Sequence, residues 1–196
     1  MTLIALSGKS GSGKDTLAAE MVEHLGFTRI AFADRLKTEV QSRCILPTRR
    51  RYQMYGQRAR ERNPLHWIQP VMSDILAEPD RRWVITDMRY VNEARQVLAY
   101  DGDIICIVRL TLDGQPLVNL KAPECNHESE REPEYIYPLL SKGWGLRMHQ
   151  LAHRTEVGLK VTGMSVAQQI LDLPFDERID IAKLYANEIA EAVDEE

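Results

Sequence analysis

Ser7-Gly8-Lys9-Ser10-Gly11-Ser12-Gly13-Lys14-Asp15-Thr16 decides the fold of this 196-residue chain. A short apolar run, residues 2–6, precedes it. A helical pattern of Leu17, Ala18, Met21, Val22 and Leu25 follows it. Strand, glycine-rich turn, then helix is the context in which such a loop holds phosphate. Gly8, Gly11 and Gly13 admit backbone conformations that a side chain would forbid. The N–H groups can then converge on an anion, aided by the positive end of the helix dipole. Lys14 can reach the outer phosphates of a nucleoside triphosphate, and a nearby hydroxyl can bind Mg²⁺. Asp15 separates the lysine from Thr16, so Ser12 and Thr16 are both candidates for that hydroxyl. The match to G-x-x-x-x-G-K-[ST] is therefore incomplete. Gly11, Ser12, Gly13, Lys14, Asp15 and Thr16 are the loop's candidate residues for a nucleotide.

Outward from the loop, apolar runs alternate with helical patterns. Residues 27–33 read as a second strand, 34–43 as a helix, 64–77 as a helix with Pro64 in its first turn, 82–86 as a strand and 92–100 as a helix. Residues 104–110 are the most apolar strand. This alternation predicts an α/β fold, a parallel sheet with helices on both faces. Ligands of such sheets bind at the carboxyl ends of the strands, near which Ser7, Asp87 and Arg109 lie. Residues 1–163 form the expected core, with 48–78 as an acceptor-binding helical region and 111–150 as a lid or insertion. A last strand is expected at 156–161. Residues 164–196 read as a helical extension whose apolar stripe, Phe175, Ile179, Ala182, Ala186, Ile189 and Val193, packs on the body or on a second subunit, giving a homodimer.

Trp83-Val84-Ile85-Thr86-Asp87 is an apolar strand ending in a carboxylate, the pattern of an acid that holds Mg²⁺ directly or through water. Arg89 lies two residues on, within reach of a transferring phosphate. The alternative for the pair is a helix-capping Asp and a surface Arg. The stretch 48–62 carries Arg49, Arg50, Arg51, Arg58, Arg60 and Arg62 with one acid, Glu61. Arginine forks match phosphate oxygens, and Tyr52, Tyr55 and Trp67 can stack on a base. A nucleic-acid patch or a solvated helix face would read the same way. Lys37 follows the second strand and can face the site, with Asp34 as a helix cap. Cys125, His127, His149 and His153 supply four potential zinc ligands, the last two on one face of a helix, but their spacing matches no standard ribbon or finger.

The net charge of −4 argues against a general nucleic-acid binder, and no apolar stretch is long enough to cross a membrane. Three scattered cysteines make no disulfide framework, and no secretory leader is visible. A cytoplasmic location is expected.

Several later elements resemble those of bacteriophage-type deoxynucleoside monophosphate kinases. They are the Ser12-Gly13-Lys14-Asp15-Thr16 ending of the loop, Asp34-x-Leu36-Lys37, and Tyr55-Gly56 followed by Arg60, Pro64 and Trp67. Asp87-x-Arg89-x-x-Asn92-Glu93 and His127-Glu128-Ser129-Glu130 complete the series. The similarity covers roughly residues 2–130, in order. It implies a P-loop kinase fold and transfer of the γ-phosphoryl group of ATP, with Mg²⁺, to a deoxynucleoside monophosphate, in the host cytoplasm if the chain is viral. It implies that Lys14, Arg89 and Asp87 act at the transferring group, with Thr16 and Asp87 on the metal side. Lys37 and Arg60 would lie at the acceptor phosphate, with Arg58, Arg62, Trp67 and Glu130 near the acceptor or lid. Asn126 stands where the family often has Asp, and arginines expected between Arg109 and Cys125 are absent. Phosphomevalonate kinase is similar in the same motifs, so a kinase of another phosphorylated small molecule is the alternative.

Overall fold

Hydrophobic residues in the central strands are continuous rather than alternating, as a sheet covered on both faces requires. The computed structural model describes residues 1–43, 48–110, 128–133, 135–136, 140 and 148–154. Along the chain run β1 (Thr2–Ser7), α1 (Lys14–Leu25), β2 (Phe27–Ile30), α2 (Phe32–Ser42), α3 (Arg49–Arg62) and α4 (Ile68–Ala77). Then come β3 (Arg82–Met88), α5 (Val91–Ala99), β4 (Asp103–Leu110), the short α6 (Glu128–Arg131) and β5 (Met148–Arg154). The five strands form one parallel sheet in the order β2-β3-β1-β4-β5.

The two-residue period of the strands sorts their side chains between two cores. Leu3 and Ala5 of β1, Trp83 and Ile85 of β3, and Ile104 and Cys106 of β4 pack with Ile68, Val71, Met72 and Ile75 of α4 and Ala94, Val97 and Leu98 of α5. Ile4 and Leu6, Val84, and Ile105 and Ile107 pack on the opposite face with Leu17, Ala18 and Met21 of α1. Burial pushes the Cys106 thiol up to about 12, so it is an inert core residue. A third cluster, Leu36, Val40 and Trp67 with Tyr52, Tyr55 and Ala59, joins α2 to α3.

The chain leaves β1 for β3 and β2 on one side and later fills β4 and β5 on the other. The crevice at the carboxyl end of β1 is therefore a switch point, where α/β sheets take ligands. The loop 8–13 lies there.

Four boundaries differ from the sequence reading. β2 stops at Ile30, and α2 starts at Phe32, because Asp87 rather than Asp34 caps it. α4 starts at Ile68. Residues 64–67 form turns in which the Asn63 side chain accepts from the Leu65 N–H at 3.0 Å. The 111–150 stretch contributes residues 148–150 to β5, whose Met-His-Gln-Leu-Ala-His-Arg sequence has no apolar run to announce a strand. His149 and His153 thus lie on a strand and not on a helix. The expected strand at 156–161, the extension 164–196, Cys125 and His127 lie outside the described residues.

Candidate active site

The loop begins where β1 meets β4. Gly8, Gly11 and Gly13 all have positive φ, and Gly13 is the N-cap of α1 with no side chain over the helix end. The first-turn N–H groups of α1 are the kind that bind anions. Lys14 is 6% exposed. Its Nζ donates to the carbonyls of Gly8 at 2.8 Å and Lys9 at 2.6 Å and lies 3.4 Å from the Ser12 hydroxyl. The ammonium thus stays within the loop, held by its carbonyls. Asp15 and Thr16 are exposed in the first turn of α1.

Next to the loop opens a cavity of about 440 Å³. Arg29, Lys37, Arg49, Arg60 and Arg89 line it, against Asp15, Asp87 and Glu93. Five cations facing three carboxyl groups favour an anionic guest. Phe32, Leu36, Tyr52 and Tyr90 supply apolar and aromatic walls. Helical periodicity decides which arginines of α3 take part. Arg49, Tyr52, Gln53 and Arg60 share one face and line the cavity, whereas Arg58 and Arg62 are exposed elsewhere on the helix.

Asp87, at the end of β3, accepts from the backbone N–H of Phe32 through Oδ1 and of Ala33 through Oδ2, each at 2.8 Å. It thereby holds the start of α2, which is the capping role weighed for it from sequence, exercised on a helix 55 residues earlier. Burial raises its pKa, opposed by those two hydrogen bonds and by Arg89. Each oxygen keeps a further lone pair, so the group also fits a metal contact made through water. Arg89 donates through Nη1 to the Ser129 carbonyl at 3.2 Å, tying β3 to α6. Glu132 accepts from the Val91 N–H at 2.9 Å and fastens the same segment. Lys37 lies 3.4 Å from Asp34, which also pairs with Arg29 at 2.7 Å. Burial raises the Asp34 pKa, but the two cations outweigh it, and the net shift is downward.

Trp67 is not a cavity residue. It is 3% exposed, its indole N–H donates to the Gly56 carbonyl at 3.1 Å, and His66 packs edge-on to its ring at 4.4 Å. A ring this enclosed fastens α3 to the turn before α4 and has no face left for a base. Glu130 lies on α6, between Ser129, which lines the cavity, and Arg131, which is exposed. Among the described residues no group of three or more His, Cys, Asp or Glu is placed to hold a metal ion, and no helix is long and apolar enough to cross a membrane.

Sequence reasoning gave no site role to Glu93, Tyr90, Arg29 or Gln53 and did not single out Arg49 from the other arginines of 48–62; all five line the cavity. Arg49 and Gln53 were findable from their spacing with Tyr52 and Arg60. Glu93 stands at the third position of α5, where an acid reaches back to the helix start. Its Oε2 accepts from the N–H of Arg89 at 2.8 Å and of Tyr90 at 3.0 Å. Burial pushes its carboxyl up to about 7, against the pull of Arg60 and the two backbone donors.

The sign of the stability effect follows from that shift. The folded protein binds the Glu93 proton more tightly than the unfolded chain does. Stability supplied through this group is present below the ordinary carboxyl range and is lost as pH rises toward 7. The loss amounts to about 3 kcal/mol at most. Glu93→Gln is expected to remove this component. The difference between wild-type and variant unfolding free energies, followed by denaturant melts from pH 5 to 8, should slope against the wild type as pH rises. A flat difference would show that the carboxyl titrates normally.

A glycine-rich loop after the central strand of a parallel sheet ordered 2-3-1-4-5 gives the chain a doubly wound α/β fold. No family model matches the chain, and no curated protein does. Solved structures similar to it include a candidate kinase from Chloroflexus aurantiacus, with 13% identity, 87% of this chain and 96% of that chain covered, and a TM-score of 0.48. Shikimate kinase from Acinetobacter baumannii, in complex with shikimate, shows 16% identity, coverage of 86% and 90%, and a TM-score of 0.42. A gluconokinase from Sinorhizobium meliloti shows 15% identity, coverage of 87% and 95%, and a TM-score of 0.41.

Proposed function

We propose that the protein transfers the γ-phosphoryl group of ATP to a phosphorylated small molecule, and that the acceptor is a deoxynucleoside monophosphate. The observation that carries the reading is the cation-lined, aromatic-walled cavity that opens beside a glycine-rich phosphate loop. The loop, through Gly11, Ser12, Gly13, Lys14, Asp15 and Thr16, takes the triphosphate. Mg²⁺ would be held on the side of Thr16 and Asp87, and it supplies neutralisation of charge on the outer phosphates. Arg60 and Lys37 hold the acceptor phosphate, and Tyr52 offers a face to its base. Arg89 compensates charge on the group in transit. No side chain need act as base, because the attacking oxygen already belongs to an ionised phosphate. The protein's contribution is alignment and electrostatic compensation.

A panel of acceptors with labelled ATP, comprising the four deoxynucleoside monophosphates, their ribose counterparts and phosphomevalonate, tests the reading. Deoxynucleotide-dependent formation of a diphosphate is expected. Turnover confined to phosphomevalonate would reassign the acceptor, and no acceptor-dependent loss of ATP would refute the kinase reading. Arg60→Ala is expected to weaken acceptor binding roughly 10- to 100-fold, the loss of charge-assisted hydrogen bonds. ATP affinity should stay nearly unchanged. Equal effects on both ligands in a titration would remove Arg60 from the acceptor site.

A further inference from the structure

We infer that Glu93 is a positioning residue of the acceptor site, whose single buried carboxyl group sets the placement of both Arg60 and Arg89. The inference rests on the acceptor reading of the cavity. The two arginines come from distant elements, α3 and the turn between β3 and α5. Glu93 meets both. One oxygen, Oε2, gathers the consecutive N–H groups of Arg89 and Tyr90 at 2.8 and 3.0 Å and so fixes the backbone from which the Arg89 side chain springs. The other, Oε1, lies 3.8 Å from Arg60 Nη2. The Tyr90 ring lies 4.0 Å from the Arg60 guanidinium carbon, so the cation is held between a carboxyl group and an aromatic face.

Two further features suit this role better than a capping role alone. At 3.8 Å the carboxyl group faces Arg60 without consuming one of its N–H donors, which stay available to a phosphate. Gly56, one turn before Arg60, leaves room for the guanidinium: a Cβ there would stand 3.2 Å from Arg60 Nη1. The Asn92 amide, donating to the Pro64 carbonyl at 2.8 Å, ties the start of α5 to the turn that follows α3. An arginine immobilised in advance gives up less side-chain entropy when its ligand arrives. A cap alone would not place the free oxygen opposite a cation from another helix.

A double-mutant cycle separates positioning from mere support. Wild type, Glu93→Gln, Arg60→Ala and the double variant are titrated calorimetrically with the deoxynucleoside monophosphates, with phosphomevalonate and with ATP. E93Q is expected to weaken acceptor binding roughly 5- to 20-fold and to leave ATP within about twofold. The double variant should bind the acceptor within about twofold of Arg60→Ala alone, because Glu93 acts through Arg60. An E93Q loss that persists undiminished beside Arg60→Ala, or an equal loss for ATP, overturns the inference while leaving the acceptor reading standing. A wild-type protein that binds none of the monophosphates overturns the acceptor reading and this inference with it. Glu93→Asp keeps the charge and withdraws it by one methylene. It should show the same acceptor-selective loss, and it serves the same comparison should E93Q fail to fold.

Discussion

Lys14→Met is expected to reduce phosphoryl transfer by roughly three to five powers of ten while the protein remains folded. Charge accumulates on the outer phosphates as the bond to the leaving group lengthens, and a preorganised cation in a water-poor loop meets that charge without reorganisation. Lys14 is 6% exposed, and its carbonyl partners at 2.6 and 2.8 Å already keep the ammonium within the loop. Methionine keeps an unbranched apolar stem, one atom shorter, and removes the ammonium group with its charge and donors. The fold should lose little, because the carbonyls of Gly8 and Lys9 give up one donor each, about 1 to 2 kcal/mol together. Single-turnover kinetics with labelled ATP check the rate, and a thermal melt checks the fold. Turnover near the wild-type value would take Lys14 out of the chemistry. A variant that melts far below the wild type would mean that the lysine holds the loop together rather than serving a ligand.

How far the sequence discloses this molecule depends on whether the physics is local. The loop was legible because strand, glycine turn and helix stand within some twenty-five residues and each has its own period. Residues 82–86 and 104–110 were legible because buried parallel strands are written as apolar runs. β5 was not, since His149, Gln150 and His153 interrupt any such run, and its place is set by pairing with β4. The same division holds in the site. Arg60 and Lys37 could be proposed from charge and position. The cap on α2 could not, because the acid that supplies it lies in β3, and only the sheet brings Asp87 to Phe32 and Ala33. Trp67 shows the converse error. An aromatic ring beside a basic stretch suggests stacking on a base, but whether that ring faces a cavity or a neighbouring helix is decided by packing. Here the packing encloses it.

Gly8→Ala is expected to destabilise the protein by about 3 to 5 kcal/mol and to abolish ATP binding along with activity. Two effects add. Gly8 has φ +146, a region that alanine enters only under strain, at about 1 to 3 kcal/mol. A Cβ at this position would also stand 2.4 Å from the Ile107 carbonyl oxygen and 2.7 Å from the Ser12 hydroxyl. The hydroxyl can rotate away, but Ile107 belongs to an interior strand paired on both sides, so its carbonyl cannot yield without disturbing β4. The loop must move instead, and with it the Gly8 carbonyl that holds Lys14. Gly26 provides the internal control. It too has positive φ, +68, yet a Cβ there would meet nothing within 4 Å. Gly26→Ala should therefore carry the conformational cost alone, about 1 to 2 kcal/mol, with ATP affinity unchanged. Denaturant melts of the two variants, read beside ATP titrations, separate crowding from strain. If Gly8→Ala proves no more costly than Gly26→Ala, the loop does not run against β4, and the close approach of Gly8 to that strand is refuted.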